Sequence, residues 1–315
     1  MIHGYVLRDG RLEDGRSRDV SDLTRDRTWI DVVAPTEEER RWLSDAYGWT
    51  PPSPSDLREI EASSRFFEDE DGTHIRAFFL SEADGRVRNE TVAFVLGGGM
   101  LFTVREASPL DLRSFVEQTR RTPGLVRDEF EILLRLFEHQ VDRLADLLED
   151  LHGRLEAVDE RLLKLDDEAP EGLMAELAAT RDVNEKIRLS LMDKERALSI
   201  TLRRNGVPER HEPLAQEILR DVESLQAHTA FLSDRLEALL HEIVGRVTIA
   251  QNRIIKALSI AAVVFLPPTL IASAYGMNFD RMPELGWPFG YPLAVLAMLA
   301  SGLLPLWFLK RRGWL

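Results

Sequence analysis

The chain has no cysteine. That excludes disulfides and thiolate metal sites, and it is the usage expected in a reducing compartment. No basic stretch leads into an apolar one at the N-terminus, so residues 1 to about 250 are expected to stay in the cytoplasm rather than be exported. A surplus of positive charge is also missing, the net charge being −14. Nucleic-acid affinity comes mainly from Lys and Arg on phosphates, so nucleic acid is not an expected partner. The sequence contains no nucleophile motif, phosphate loop or metal triad, and its acids follow helix surfaces, which is not the pattern of an enzyme. Gly97-Gly98-Gly99 lacks the Lys-Ser/Thr of a phosphate loop and sits between two strand-like runs, so it reads as a tight hairpin. The seven histidines are scattered singly and are expected as solvated side chains.

Most of the 315 residues are polar enough for a soluble protein, with a mean hydropathy below zero, yet the C-terminal end is not. Residues 257–279 give about 23 positions without formal charge and 285–309 about 25, each enough to cross a hydrocarbon core about 30 Å thick. The expected spans are about 254–275 and 290–309. Arg253 and Lys256 flank the first span, Lys310, Arg311 and Arg312 the second, and the loop between holds one Arg and two acids. The positive-inside rule places both termini in the cytoplasm and the loop with Asn278, Asp280 and Glu284 outside. Two spans cannot enclose a pore, so conduction would require an oligomer with the first span on the axis. Pro267-Pro268 removes two backbone donors from that span and is expected to kink it.

Charge is unevenly spread. Of 40 Lys and Arg and 54 Asp and Glu, six bases and two acids lie from Arg253 onward, splitting the net −14 into +4 there and −18 before it. An acidic soluble part favours cations as ligands or counter-ions, although acidic surfaces also serve solubility alone.

The soluble part divides at about residue 110 into a cytoplasmic α/β domain, 1–110, and a cytoplasmic helical stalk, 111–252, ahead of the transmembrane hairpin, 253–315. Short apolar or alternating runs at 2–7, 28–33, 64–67, 73–80, 91–96 and 100–104 read as strands, with hairpins at Glu70-Asp71-Gly72 and the triple glycine. Thr36 and Glu39 form a capping box that opens a helix to Tyr47, and 55–62 reads as another. From Phe130 to Leu165 apolar residues step by threes and fours, a coiled-coil-like seam ended by Ala169-Pro170-Glu171-Gly172. A second, antiparallel helix follows from Leu173 to about Leu202, with Thr180 and Asn184 as polar seam positions that set register. A third stripe runs from Ile218 without a proline between Pro213 and Pro267, so one helix of about 60 residues, about 90 Å long, carries the stalk into the first span.

Tyr275-Gly276-Met277-Asn278-Phe279, Met282-Pro283-Glu284-Leu285, Trp287, Gly290-Tyr291-Pro292 and the final Lys-Arg-Arg-Gly-Trp-Leu together resemble the CorA family of divalent-cation channels, in its bacterial magnesium-transporting branch. Glu59-Ile60-Glu61-Ala62-Ser63 and Arg65-Phe66-Phe67-Glu68 resemble the N-terminal domain of that branch, so the similarity covers essentially the whole chain. The resemblance implies a multi-pass protein of the bacterial inner membrane that forms a funnel-shaped homopentamer and takes up Mg2+, with Co2+ and Ni2+ as lesser cargo. It implies a pore entrance at Tyr275, Gly276, Met277 and Asn278, a lining at Asn252 and Thr269, and apolar constrictions at Leu258 and Leu266, where Leu266 stands in place of the Met of other members. It further implies gating by cytoplasmic Mg2+, for which Glu59 and Glu217 lie near positions of sensor acids. No organic cofactor is implied.

These residue types suit that chemistry. Mg2+ dehydrates reluctantly, so neutral carbonyl oxygens of Asn278 can meet its water shell. Gly276 is expected to turn the chain sharply at the helix end, and the C-terminal helix dipole favours a cation there. Two other readings stay open: proton-coupled Zn2+ transport, as in the ZntB branch, and a non-conducting membrane-anchored coiled-coil sensor or scaffold.

Overall fold

Alternating apolar side chains and tight glycine turns build one sheet early in the chain. In the computed structural model, which describes residues 1–14, 27–59, 65–83, 86–106, 111–163, 170–203, 207–277 and 282–313, its strands are β1 (Ile2–Arg8), β2 (Arg11–Asp14), β3 (Trp29–Val33), β4 (Phe66–Asp69), β5 (Gly72–Ala83), β6 (Arg86–Gly97) and β7 (Met100–Arg105). Their order is β2-β1-β3-β7-β6-β5-β4, with β3 and β7 parallel and the other neighbours antiparallel. Both expected hairpins form. Gly98 and Gly99 take positive φ (60° and 77°) in the β6–β7 turn, and a Cβ on Gly97 would lie 2.0 Å from the Asp71 carbonyl oxygen, so the two turns can touch only through glycine.

The sheet is covered on both faces. Ile30, Val32, Ala93, Val95, Phe102 and Val104 pack with Leu43, Trp49 and Leu57, brought by helices α1 (Glu37–Tyr47) and α2 (Pro54–Leu57) and the segment between them. The capping box at α1 is present: the Glu39 amide donates to Thr36 Oγ1 at 3.2 Å and the Thr36 amide to Glu39 Oε2 at 2.9 Å. On the opposite face Trp29 meets Phe115 of α3 (Asp111–Arg121), and Phe79 and Phe94 meet Phe137 of α4 (Glu129–Leu163). Helix α5 (Pro170–Arg203) closes the edge that β4 leaves open beyond Ile75. Asp193 accepts the Phe78 amide at 2.8 Å, and Ser190 and Lys194 donate to the Phe78 carbonyl.

The apolar seam from Phe130 to Leu162 is buried throughout, while Leu165 lies outside the described residues. Its Phe137 packs on the sheet, against Phe79 and Phe94, so the seam begins as a helix-on-sheet contact. The polar seam position Asn184 is buried and donates to the Thr229 carbonyl (3.0 Å) and to Ser233 Oγ (2.9 Å) of helix α6 (Glu212–Tyr275). Helix α7 (Gly290–Arg311) follows. The chain separates into two compact units, Met1–Leu240 and His241–Leu315.

Several expectations are corrected. Strand β2 was not expected, since four residues with one apolar side chain give almost no alternation; Leu12 is nevertheless fully buried. The helix expected over 55–62 is the single turn α2, its first turn fixed by a second capping box between Ser53 and Asp56, and 60–64 lie outside the described residues. Pro170 opens α5 instead of ending α4, because a missing N–H costs nothing in the first turn. Two histidines are not solvated: His211 is 5% exposed and stacks on Phe130, and His74 stacks on Phe67 and bonds Asp69 at 2.8 Å.

Candidate functional site

Within the unit His241–Leu315, the last part of α6 and all of α7 are long and apolar enough to cross a membrane. Their large apolar side chains face outward: Leu258 and Leu266 are each 66% exposed, Leu270 71% and Leu296 67%. Surface of this kind is stable against lipid or other apolar surfaces. At 3.6 residues per turn, Asn252, Leu258, Leu266 and Thr269 fall within an arc of about 120° on α6. All four are exposed. The Thr269 hydroxyl donates back to the Phe265 carbonyl at 2.6 Å, within its own helix. Helix α6 continues through Pro267 and Pro268.

At the end of α6 the Gly276 amide donates to the Ala272 carbonyl at 2.9 Å and the Met277 amide to the Ala274 carbonyl at 3.4 Å. The helix ends in a turn at Gly276, as expected, but Gly276 is not among the residues of positive φ. Its constraint is spatial: a Cβ would lie 3.2 Å from the Ala272 carbonyl oxygen and 3.6 Å from that of Ser273. At this helix end the dipole carries partial negative charge. Tyr275 and Met277 are exposed beside it. Asn278 and Asp280 lie outside the described residues, and Glu284 belongs to a 3₁₀ turn, Pro283–Gly286.

The two expected sensor acids lie in the unit Met1–Leu240. Glu59 pairs with Arg76 at 3.3 Å, and the same guanidinium donates to the Asp56 carbonyl at 2.7 Å. Glu217 is exposed on α6. Glu59 lies in the segment after α2 and Glu217 on α6, and the partner Glu59 has is a cation. Elsewhere in this unit burial pushes the Asp142 carboxyl above the ordinary carboxylate range, with repulsion from Glu138, Asp221 and Asp146 adding to it. Among the described residues no group of three or more His, Asp or Glu is arranged to hold a metal.

One close contact was not foreseen. Gly302 of α7 is buried against α6, and a Cβ there would lie 3.2 Å from the Val264 carbonyl oxygen and 3.4 Å from Pro268 Cγ. The available signal was a glycine in the middle of an apolar helix, where small residues mark close helix approach.

Comparison with known proteins gives a consistent result. Residues 25–311 match the family model described as CorA-like Mg2+ transporter protein. A Pasteurella multocida protein named Magnesium transport protein CorA is 40% identical over 317 residues, covering 100% of both chains. A Pectobacterium atrosepticum protein of the same name is 41% identical over 318 residues, again covering 100% of both. Among solved structures, that of the complete CorA magnesium transporter from Methanocaldococcus jannaschii superposes with a TM-score of 0.77, at 20% identity, over 100% of this chain and 99% of that one. At that identity the likeness speaks for the fold.

Proposed function

The chain belongs to the CorA family of Mg2+ transporters, and from that premise we propose that it takes up Mg2+ across the inner membrane of a bacterium. The observation that carries this reading is 40% identity over the full length to a protein named for magnesium transport. An uncharged first span rich in small residues and ending in Tyr275-Gly276-Met277-Asn278 supports it.

In this reading copies of the chain associate, as a pentamer, around α6. Both termini are cytoplasmic, following the basic flanks. Asn278 amide oxygens form the entrance and meet the water shell of the ion, which Mg2+ gives up reluctantly. Gly276 supports the entrance by adding no side chain beside the helix-end carbonyls. Leu258 and Leu266 share the arc with Asn252 and Thr269 and act as apolar constrictions that close by dewetting, while Asn252 and Thr269 offer polar steps at either side. Co2+ and Ni2+ are lesser cargo. Cytoplasmic Mg2+ regulates flux by binding acids of the soluble unit, with Glu217 and Glu59 as ligands or close neighbours. No step calls for an organic cofactor or for chemistry on a substrate. Proton-coupled zinc transport and a non-conducting scaffold are less favoured, because full-length relatives at 40% and 41% identity carry the magnesium name.

The test is ion flux into proteoliposomes holding a magnesium dye, comparing the native chain with Asn278→Ala. Influx driven by membrane potential alone, and reduced to a small fraction by the substitution, is the expected result. Absence of Mg2+ influx, with zinc influx that rises with an inward proton gradient, would sink the reading.

A further inference from the structure

Pro267 and Pro268 leave a specific gap in α6. The carbonyl of Val264 would bond the amide four residues on in an α-helix, or three residues on in a 3₁₀ turn, and both of those residues are proline. Neither has an N–H. In a hydrocarbon environment no water is at hand to replace the missing donor, and an uncovered carbonyl there is destabilising.

Gly302 of α7 lies against this carbonyl. An added Cβ would stand 3.2 Å from the Val264 oxygen, tighter than side chains ordinarily accept, and 3.4 Å from the Pro268 ring carbon, at the edge of ordinary contact. Glycine lets the α7 backbone come this close without displacing the carbonyl. Gly302 and Ala294 are the buried residues of α7, so this contact lies on the side by which α7 packs within the hairpin. Val264 and Pro268 fall, at 3.6 residues per turn, on the side of α6 opposite the arc of Asn252, Leu258, Leu266 and Thr269.

We propose that Gly302 is a positioning residue for the conducting helix: it covers the backbone carbonyl that the proline pair leaves open and so sets where the face carrying Leu266 and Thr269 stands. The word conducting rests on the function proposed above. The packing of Gly302 on Val264 and Pro268 does not.

The experiment is a double-mutant cycle on the full-length protein, introducing Gly302→Ala and Gly302→Val in the native background and in Pro268→Ala. Two quantities are read: thermal unfolding in detergent and Mg2+ influx into proteoliposomes. Gly302→Ala is expected to lower the unfolding temperature and influx, and Gly302→Val to lower both further. Leu303→Val, one residue on and exposed, leaves both near native. Pro268→Ala gives the Val264 carbonyl an N–H and removes the ring carbon, so in that background Gly302→Ala loses most of its effect. This rescue separates a matched pair from a glycine that merely tolerates no bulk. Equal losses in the two backgrounds, or no loss from Gly302→Val in either quantity, would overturn the proposal. Should Gly302→Val fail to assemble, Gly302→Ala carries the cycle. A native chain that moves no Mg2+ would defeat the functional reading alone, since the unfolding cycle still reads the contact.

Discussion

Arg105 and Asp31 form an ion pair whose partners are both about as buried as apolar core. The guanidinium meets the carboxylate through two bonds, Nε to Oδ1 at 3.1 Å and an Nη to Oδ2 at 2.7 Å. Thr103 donates to Oδ1 at 2.7 Å and accepts from Trp29 Nε1 at 3.0 Å. Removing one partner strands the other charge, so Arg105→Met is expected to cost about 3–5 kcal/mol of stability, whereas Asp31→Leu with Arg105→Met recovers most of it. Denaturant unfolding followed by tryptophan emission measures this. The alternation around Asp31 made β3 legible in the sequence, but the pair was not, because its members are separated by 74 positions and meet only through the parallel β3–β7 ladder. Gly276 teaches the converse. Its place at the helix end was legible from the motif, while its nearness to the Ala272 and Ser273 carbonyl oxygens, without a positive φ, was visible only in three dimensions.

Among the elements, α4 begins at a junction that ties two helices. Asp128 Oδ1 accepts the Glu131 amide at 2.8 Å, capping α4, and its Oδ2 takes Arg210 at 2.7 Å and His211 at 2.9 Å just ahead of α6. Burial opposes ionisation of Asp128, but the amide, the imidazole and the guanidinium outweigh it and hold the carboxyl below its ordinary value. A depressed carboxylate contributes stability that is present above its unfolded pKa and is lost as pH falls through the folded one. Asp128→Asn should therefore cost about 1–3 kcal/mol at neutral pH and progressively less in acid, flattening the acid limb of a stability–pH curve. The length of α4 and α6 was readable because their apolar stripes repeat over many turns, and every described member of the α4 seam is buried. What the sequence hid were short pieces fixed by partners. Strand β2 exists because it pairs with β1 from Tyr5↔Asp14 to Arg8↔Arg11, and α2 is one turn held by two side chains.

For the whole molecule the decisive quantity is the −18 carried ahead of Arg253 against +4 after it. Like charges at this density repel, and a divalent ion relieves repulsion by bridging carboxylates where monovalent salt only screens them. If cytoplasmic Mg2+ restrains flux in this way, influx into proteoliposomes should fall as internal Mg2+ rises. Raising internal KCl to the same ionic strength should not reproduce the fall. The two acids need not contribute equally. Arg76 already compensates Glu59 at 3.3 Å, whereas Glu217 is exposed, so Glu217→Gln should raise the internal Mg2+ needed for half-inhibition more than Glu59→Gln, and the double variant most. A double variant as sensitive to internal Mg2+ as the native chain would remove both residues from regulation. Conduction through Asn278 would stand apart from that result, because its test compares influx with and without the Asn278 side chain and not the response to internal Mg2+.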